Sequence, residues 1–330
     1  MLYAGMDIHK ESTHAVVKTK QGKVIKEDEI KTKEKKIKQF FEDVEKKFEV
    51  AMEATGNYEF FYETLEDLAE EVHLANPYKT RLIAEEKVKT DKVDANALAD
   101  LLRGNLLPTS YVPRKEIRDL RKLVRRRVKL GKQRAEIKNQ IKSELRRQNI
   151  DYSNKALFKE DGLQFLKDLS NPIIDSCLAI YKTIDEELEN TEKELKEEGK
   201  EYDEVQLLNT IPGVGLYSGT MIFEEIADIE RFPSEDKLFS YAGLVPTVHQ
   251  SGESNYHGRL SKECNKYLQW ILVQCVQNHI KYCPESKISS FYRKLKKKKS
   301  NNLAKIAAAR KLLQVIYHML KNGDEFRVKG

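Results

Sequence analysis

The sequence predicts an α/β domain at the N-terminal end followed by an all-α remainder. Up to about residue 105 the chain is built of short apolar or alternating runs separated by turn residues, the signature of strands interleaved with helices. Beyond about residue 116, apolar residues recur at steps of three and four, the helical period. A chain of 330 residues, 40% hydrophobic and 34% charged, is long enough for two buried cores, and a mean hydropathy of -0.64 fits long solvated helices.

The elements follow in order. "LYAGMDIH" and "THAVVKTK" read as strands, Gln21 and Gly22 as a tight turn, and "KVIKEDEI" as the third strand of an antiparallel set. "KEKKIKQFFEDVEKKF" is an amphipathic helix, "EVAMEAT" a buried strand, "YEFFYETLEDLAEE" a helix and "VHLANP" a strand. "KVDANALADLLRG" is a helix that Gly104 ends. The order β-β-β-α-β-α-β-α is that of ribonuclease-H-like (RuvC-like) domains. "LPTSYVPRKE", with two prolines, is a linker. A long helix from about Glu116 to Gln148 comes next, then a helical stretch whose Leu166, Leu169, Ile173, Cys177, Ile180, Ile184 and Leu188 form a coiled-coil or antiparallel-hairpin seam. From about Tyr202 the chain is mostly helical, with a glycine- and serine-containing loop in its middle. The expected domains are 1–107, an α/β catalytic domain; 108–201, a basic helix and coiled-coil connector; and 202–330, a helical domain.

Total charge is modestly positive, 59 Lys and Arg against 53 Asp and Glu, but its distribution is uneven. Arg114 to Arg147 holds fifteen basic residues and four acids, a density that commonly marks nucleic-acid contact. Cys177, Cys264, Cys275 and Cys283 show no paired spacing and read as reduced thiols of a cytoplasmic protein. No leader peptide or membrane span is expected, so no membrane partner is either.

Four carboxylates in the first domain carry the chemistry. Asp7 lies between Met6 and Ile8, where a charge is costly unless it faces a cleft or a cation, and Glu53 ends its strand in the same way. Asp91 and Asp94, three residues apart behind the capping residue Thr90, share one face of a helix start. The helix pair alone has a plain explanation, since acids complement the macrodipole there. Four converging like charges would repel one another without a counterion, and oxygen-only ligands suit Mg²⁺, with Mn²⁺ possible. Zinc is disfavoured, because the seven histidines show no ligand spacing. His9 and Lys10 read as a turn-exposed pair without a role.

"LLNTIPGVGLYSGTMIFEEI" matches a helix-hairpin-helix, in which Gly213 and Gly215 let a phosphate approach the next helix N-terminus and small Gly219 sits where the helices cross. Arg118, Arg121, Arg125, Arg126 and Lys132 on the basic helix, and Arg259, Lys262 and Lys266 further on, are the expected phosphate contacts.

"GMDIHK", "MEATGNY", "KTDKVDANALADLL" and "FSYAGLVPTVHQSGESNYHGRLSKECNKYLQWILVQ", in this order along nearly the whole chain, resemble the DEDD-type insertion-sequence transposases of the IS one-ten family. The resemblance implies that Asp7, Glu53, Asp91 and Asp94 form an acidic tetrad holding Mg²⁺. It also implies that Ser251 is a nucleophile leaving a phosphoserine link to DNA, that a noncoding guide (bridge) RNA pairs with the DNA, and that tetrad and serine of one site come from different subunits of a homo-oligomer, a dimer or a dimer of dimers. Ser254 and Ser261 are rival nucleophiles. Cys264 and Gln269 depart from the family pattern, which usually has glycine near the first and often a basic residue near the second. A junction-cleaving nuclease using water, and a nucleic-acid binder without catalysis, are the alternatives.

Overall fold

The computed structural model describes all residues except 43, 45, 46, 84–89, 153–155, 252, 253, 261, 262, 329 and 330, and for 247–260 it describes the backbone alone. The chain divides into two compact units, Met1–Val112 and Pro113–Gly330.

The first unit is a mixed α/β sheet. Strands β1 (Leu2–Ile8), β2 (Ser12–Thr19) and β3 (Val24–Lys31) are antiparallel. After helix α1 (Glu34–Glu42), strand β4 (Phe48–Glu53) pairs parallel to β1, and after α2 (Tyr58–Leu65) strand β5 (Glu71–Ala75) pairs parallel to β4. Two helices the chain lays down next, α3 (Pro77–Ile83) and α4 (Asp91–Arg103), precede a two-residue edge strand, β6 (Thr109–Ser110). The strand order β3-β2-β1-β4-β5-β6 is compatible with a ribonuclease-H-like domain. Alternation along the strands separates two faces. Met6, Ile8, Val50 and Met52 pack with Ile37, Phe41, Phe61 and Leu65 of α1 and α2 on one face. Ala51 and Ala75 meet Leu98 and Leu102 of α4 on the other.

Helix α4 comes unusually close to the sheet because β1 carries a glycine where they touch. A Cβ on Gly5 would stand 2.0 Å from the Ala95 carbonyl oxygen and 2.6 Å from the Ala99 nitrogen, both backbone atoms that cannot give way. Gly5→Ala is therefore expected to cost about 3 kcal/mol of stability, read as a lowered thermal midpoint. An unchanged midpoint would mean that α4 does not lie against β1 as described.

Among the described residues, the second unit is helical apart from one hairpin. Helix α5 (Lys115–Arg147), then α6 (Glu160–Asp168) and α7 (Pro172–Lys200) open it, with α7 antiparallel to α5: Arg134 pairs with Asp185 and Arg126 with Glu187, so rising numbers on one meet falling numbers on the other. Asn171 caps α7 through its side chain and Pro172 occupies the first turn, where a missing N–H is harmless. The α7 seam differs from the expected one. Ile174, Cys177, Leu178, Tyr181 and Leu188 are buried, whereas Ile173 and Ile180 are 50% and 47% exposed. Isoleucines stand on two adjacent helical phases here, and the phase that faces α5 is the one joined to Ile141 and Leu145.

Helices α8 (Asp203–Asn209), α9 (Leu216–Ile226) and α10 (Glu235–Tyr241) follow, then a β-hairpin of β7 (Pro246–Ser251) and β8 (Ser254–Leu260) where the sequence suggested a loop. Helices α11 (Lys266–Tyr282), α12 (Lys287–Lys296) and α13 (Asn301–Asn322) complete the unit. Its core joins Leu120 and Val124 of α5 to Ile222 and Phe223 of α9, Leu272 of α11 and Leu312 and Ile316 of α13. All four cysteines are free thiols. Among the described residues, no helix is long and apolar enough to cross a membrane.

Candidate active site

Alternation and the Gly5 contact together gather the acids. Asp7 stands two residues after Gly5, and Glu53 two residues after Ala51, so both lie on the face that α4 covers. Met6 and Met52 are the last paired residues of β1 and β4, which places Asp7 and Glu53 next to each other in the register. On α4, Asp91 lies one turn before Ala95, over the same strand ends, and Thr90 starts the helix by accepting a hydrogen bond from the Val93 N–H at 3.3 Å.

The resulting cluster is tight around Asp7. His9 Nε2 lies 3.1 Å from Asp7 Oδ2 and 3.5 Å from Asp91 Oδ2, and one ligand atom from each of the three falls within 4.8 Å of the others. Asp7 is buried while His9, Asp91 and Asp94 are exposed. Burial raises the Asp7 carboxyl above its ordinary range, His9 pulls it back, and the charges of Asp91 and Asp94 raise it again. Such a carboxylate is stabilised by a cation drawn to it. The donor set, carboxylate oxygens at an open strand end with one imidazole, fits a hard divalent ion. Glu53 adjoins the set through the strand register.

Two features escaped the sequence reading. His9 shares the face of Asp7 by the strand period of two and bridges Asp7 to Asp91, a relation visible only once α4 is placed. Its backbone is pinned as well: the His9 carbonyl accepts hydrogen bonds from Asn57 Nδ2 at 3.2 Å and Thr32 Oγ1 at 2.9 Å, and Thr55 Oγ1 donates to Asn57 Oδ1 at 2.9 Å. The "ATGN" turn after β4 thus holds the loop after β1.

In the second unit, Ser251 is the last residue of β7, paired with Ser254 at the start of β8, so it sits at the tip of the hairpin. The side chains of Ser251, Ser254 and Arg259 lie outside the described residues, as do Ser261 and Lys262 altogether. The hairpin is framed by Gly243, whose carbonyl accepts from Gln269 Nε2 at 2.8 Å and whose α-carbon faces the Cys264 sulfur. Cys264 and Gln269 therefore both meet Gly243, and Lys266 Nζ lies 3.1 Å from Cys264 Sγ.

The basic helix is corrected in part. Arg118 is buried and donates to the Pro113 carbonyl at 2.9 Å. Arg121 and Arg125 bind Glu224 and Glu225 of α9, and Arg126 binds Glu187 of α7. Much of the positive charge that looked unneutralised along α5 is neutralised by acids distant in sequence. Lys132 remains exposed. Gly213 likewise serves packing: with φ at +93°, it lies so close to α11 that a Cβ would come within 2.4 Å of the His279 nitrogen. Gly215 is open, its N–H bonded to Ser218 Oγ at 2.9 Å, and Gly219 sits against Val205 where α8 and α9 cross.

With this arrangement in view, comparison with known proteins is specific. Residues 4–150 match the DEDD-type IS110 family profile, described as transposase, and residues 205–293 match the profile described as the transposase IS116/IS110/IS902 family. The transposase for insertion sequence element IS1111A of Coxiella burnetii is 26% identical over 289 residues, covering 84% of this chain and 79% of its own. The transposase for IS1328 of Yersinia enterocolitica is 23% identical over 294 residues, covering 84% and 85%. The putative transposase y4qE of Sinorhizobium fredii is 25% identical over 296 residues, covering 88% and 75%. The chain is an insertion-sequence transposase, an enzyme that acts on DNA. It belongs to the IS110 family.

Proposed function

We propose that the protein cuts and rejoins DNA strands through a phosphoserine intermediate. Asp7, Glu53, Asp91 and Asp94 would hold Mg²⁺, or Mn²⁺, and Ser251 would be the nucleophile. The observation that carries this reading is the convergence of Asp7, Asp91 and His9 at the end of β1, with Asp94 close enough for its charge to act on Asp7. Bound there, a divalent ion supplies positive charge to a phosphoryl oxygen. The Ser251 hydroxyl loses its proton as its oxygen bonds to phosphorus, and the bond from phosphorus to one deoxyribose oxygen breaks, that oxygen taking up a proton. Attack by the hydroxyl of an incoming strand reverses the exchange and frees the serine. One phosphodiester is kept throughout, so no nucleotide hydrolysis is needed. His9, bridging two carboxylates, keeps Asp7 and Asp91 oriented between turnovers. The segments divide the work: the α/β domain for the acids, the basic helix and long hairpin for holding subunits together, the C-terminal helical domain for the serine. In the same reading a noncoding guide RNA pairs with donor and target DNA, and a homo-oligomer, a dimer or dimer of dimers, supplies the acids and the serine of one site from different protomers.

Ser251→Ala is expected to abolish the denaturation-resistant protein–DNA adduct formed on end-labelled substrate, a loss of at least a hundredfold on denaturing gels. Nicking that persists without adduct would make the enzyme a water-using nuclease. An adduct that persists would move the nucleophile to Ser254 or Ser261.

A further inference from the structure

A groove of about 660 Å³ runs between α5 and α11, and its lining contains no acid among the described residues. Arg127, Lys132 and Arg134 come from α5, and Lys266, Tyr267 and Trp270 from the first turns of α11. By contrast, the cavity along α6 and α7 between Leu163 and Glu189 is lined by four acids and two lysines, so cationic walls are not common to the clefts of this unit.

Its parts differ in what already occupies them. Arg127 is fixed, stacked 4.3 Å over the Tyr217 ring and bound to Glu192 at 2.6 Å, and Arg134 is bound to Asp185 at 2.6 Å. One face of Tyr267 is covered by Arg125 at 4.7 Å. Lys132 is exposed, the Lys266 ammonium lies 3.1 Å from the Cys264 sulfur, and neither forms an ion pair with a carboxylate among the described residues. Trp270 is 43% exposed on a helix whose neighbouring Leu268, Ile271 and Leu272 are buried. A large indole left in water beside uncompensated ammonium groups is poor economy for a core. It suits a strand with negative phosphates and flat bases. Gly131 of α5 lines the opening, where a Cβ would meet only Arg127 Nη1, at 3.5 Å. A helix-interior glycine costs about 1 kcal/mol relative to alanine.

We infer that this groove binds an unpaired stretch of nucleic acid, one base stacked on Trp270 and the adjoining phosphates held by Lys132 and Lys266. The inference rests on the nucleic-acid reading above but not on its tetrad or its serine. Recognition of this kind accepts RNA or single-stranded DNA, because both offer phosphates and base faces.

Trp270 is the single tryptophan of the chain, so its fluorescence reports this groove alone. Full-length protein in a chelator, where strands are not processed, is titrated with fluorescein-labelled twenty-nucleotide oligo-uridylate or oligo-thymidylate. Saturable quenching of Trp270 should follow the rise in anisotropy, and the tighter of the two arms identifies the source. Trp270→Ala should weaken binding about tenfold or more, with Trp270→Phe restoring most of it. Lys132→Ala and Lys266→Ala should each lower the salt slope of binding by about 0.7. Gly131→Leu, which fills the groove and favours the helix, should weaken binding while the thermal midpoint holds. Oligonucleotide binding that leaves the emission and the Trp270→Ala affinity unchanged overturns the inference, as does absence of binding. Emission that shifts with protein concentration alone gives the groove to a second copy of the chain. Adduct formation through Ser251 in an otherwise failed groove experiment leaves the proposed function standing.

Discussion

Asp7→Asn is expected to stop strand cleavage and leave the α/β unit folded. Asp7 is the one buried acid of the cluster, between Met6 and Ile8 in a central strand and 3.1 Å from His9. An amide keeps the shape and gives up the charge, so the loss falls on ion binding, and several kcal/mol of lost stabilisation corresponds to about a thousandfold or more in rate. The fold gains from the same change. A carboxyl raised by burial above its ordinary value of 3.8 contributes stability in acid that fades as pH rises through its folded pKa, so at neutral pH the buried charge opposes folding. On the proposed function Mg²⁺ would reverse the balance: at a hundred times its dissociation constant, it should stabilise the wild type by about 2.7 kcal/mol. In thermal melts the wild-type midpoint should therefore rise with Mg²⁺ and the Asp7→Asn midpoint should not. An active Asp7→Asn enzyme, or melts indifferent to Mg²⁺ in the wild type, would remove the acidic cluster from the mechanism.

What could be read in advance divides along local and distant effects. Helices α1, α2 and α4 were legible because each buries one face and so writes its period into the chain, and strands β1, β2 and β4 because they are short runs buried along most of their length. The apolar run of β1 told that Asp7 was out of place between Met6 and Ile8. It could not tell that Gly5 brings α4 against β1, on which the meeting of Asp7 with Asp91 depends. Helix α3 buries no side chain and left no stripe to find. The β7–β8 hairpin is polar, with alternation too weak to distinguish from a loop. The α5 arginines misled for a related reason: a basic run looks unneutralised until helices α7 and α9, about fifty to a hundred residues away, bring Asp185, Glu187, Glu192, Glu224 and Glu225 to it. Charge along the sequence measures local excess, and ion pairing is settled by tertiary structure.

The most consequential of those pairs gives a second large effect, in stability. Glu224 is fully buried on α9, with Arg121 Nε 2.7 Å from Oε2, while Oε1 has no partner among the described residues. Neighbouring Glu225 takes Arg125 at 3.0 Å and the capping amide of Asn265 at 2.6 Å. Burial, reinforced by the charge of Glu225 and opposed by Arg121, pushes the Glu224 carboxyl up from 4.5 to about 8. The folded protein thus holds a proton there that the unfolded chain has released, and stability falls as pH rises from about 4.5 through 8, by up to about 1.4 kcal/mol per unit. Glu224→Gln keeps the shape and removes the titration, so its midpoint should equal that of the wild type in acid and exceed it by several degrees at pH 9. Arg121→Met should do the opposite. It strands a buried carboxylate, at a cost of about 3–5 kcal/mol once Glu224 is ionised and less at pH 6, where the proton remains. Adding Glu224→Met to Arg121→Met should recover most of the loss, because an apolar pair of similar volume needs no desolvation. Wild-type and Glu224→Gln midpoints that differ equally at pH 6 and pH 9 would show that Glu224 does not titrate in this range, and that the pair with Arg121 is ionised throughout.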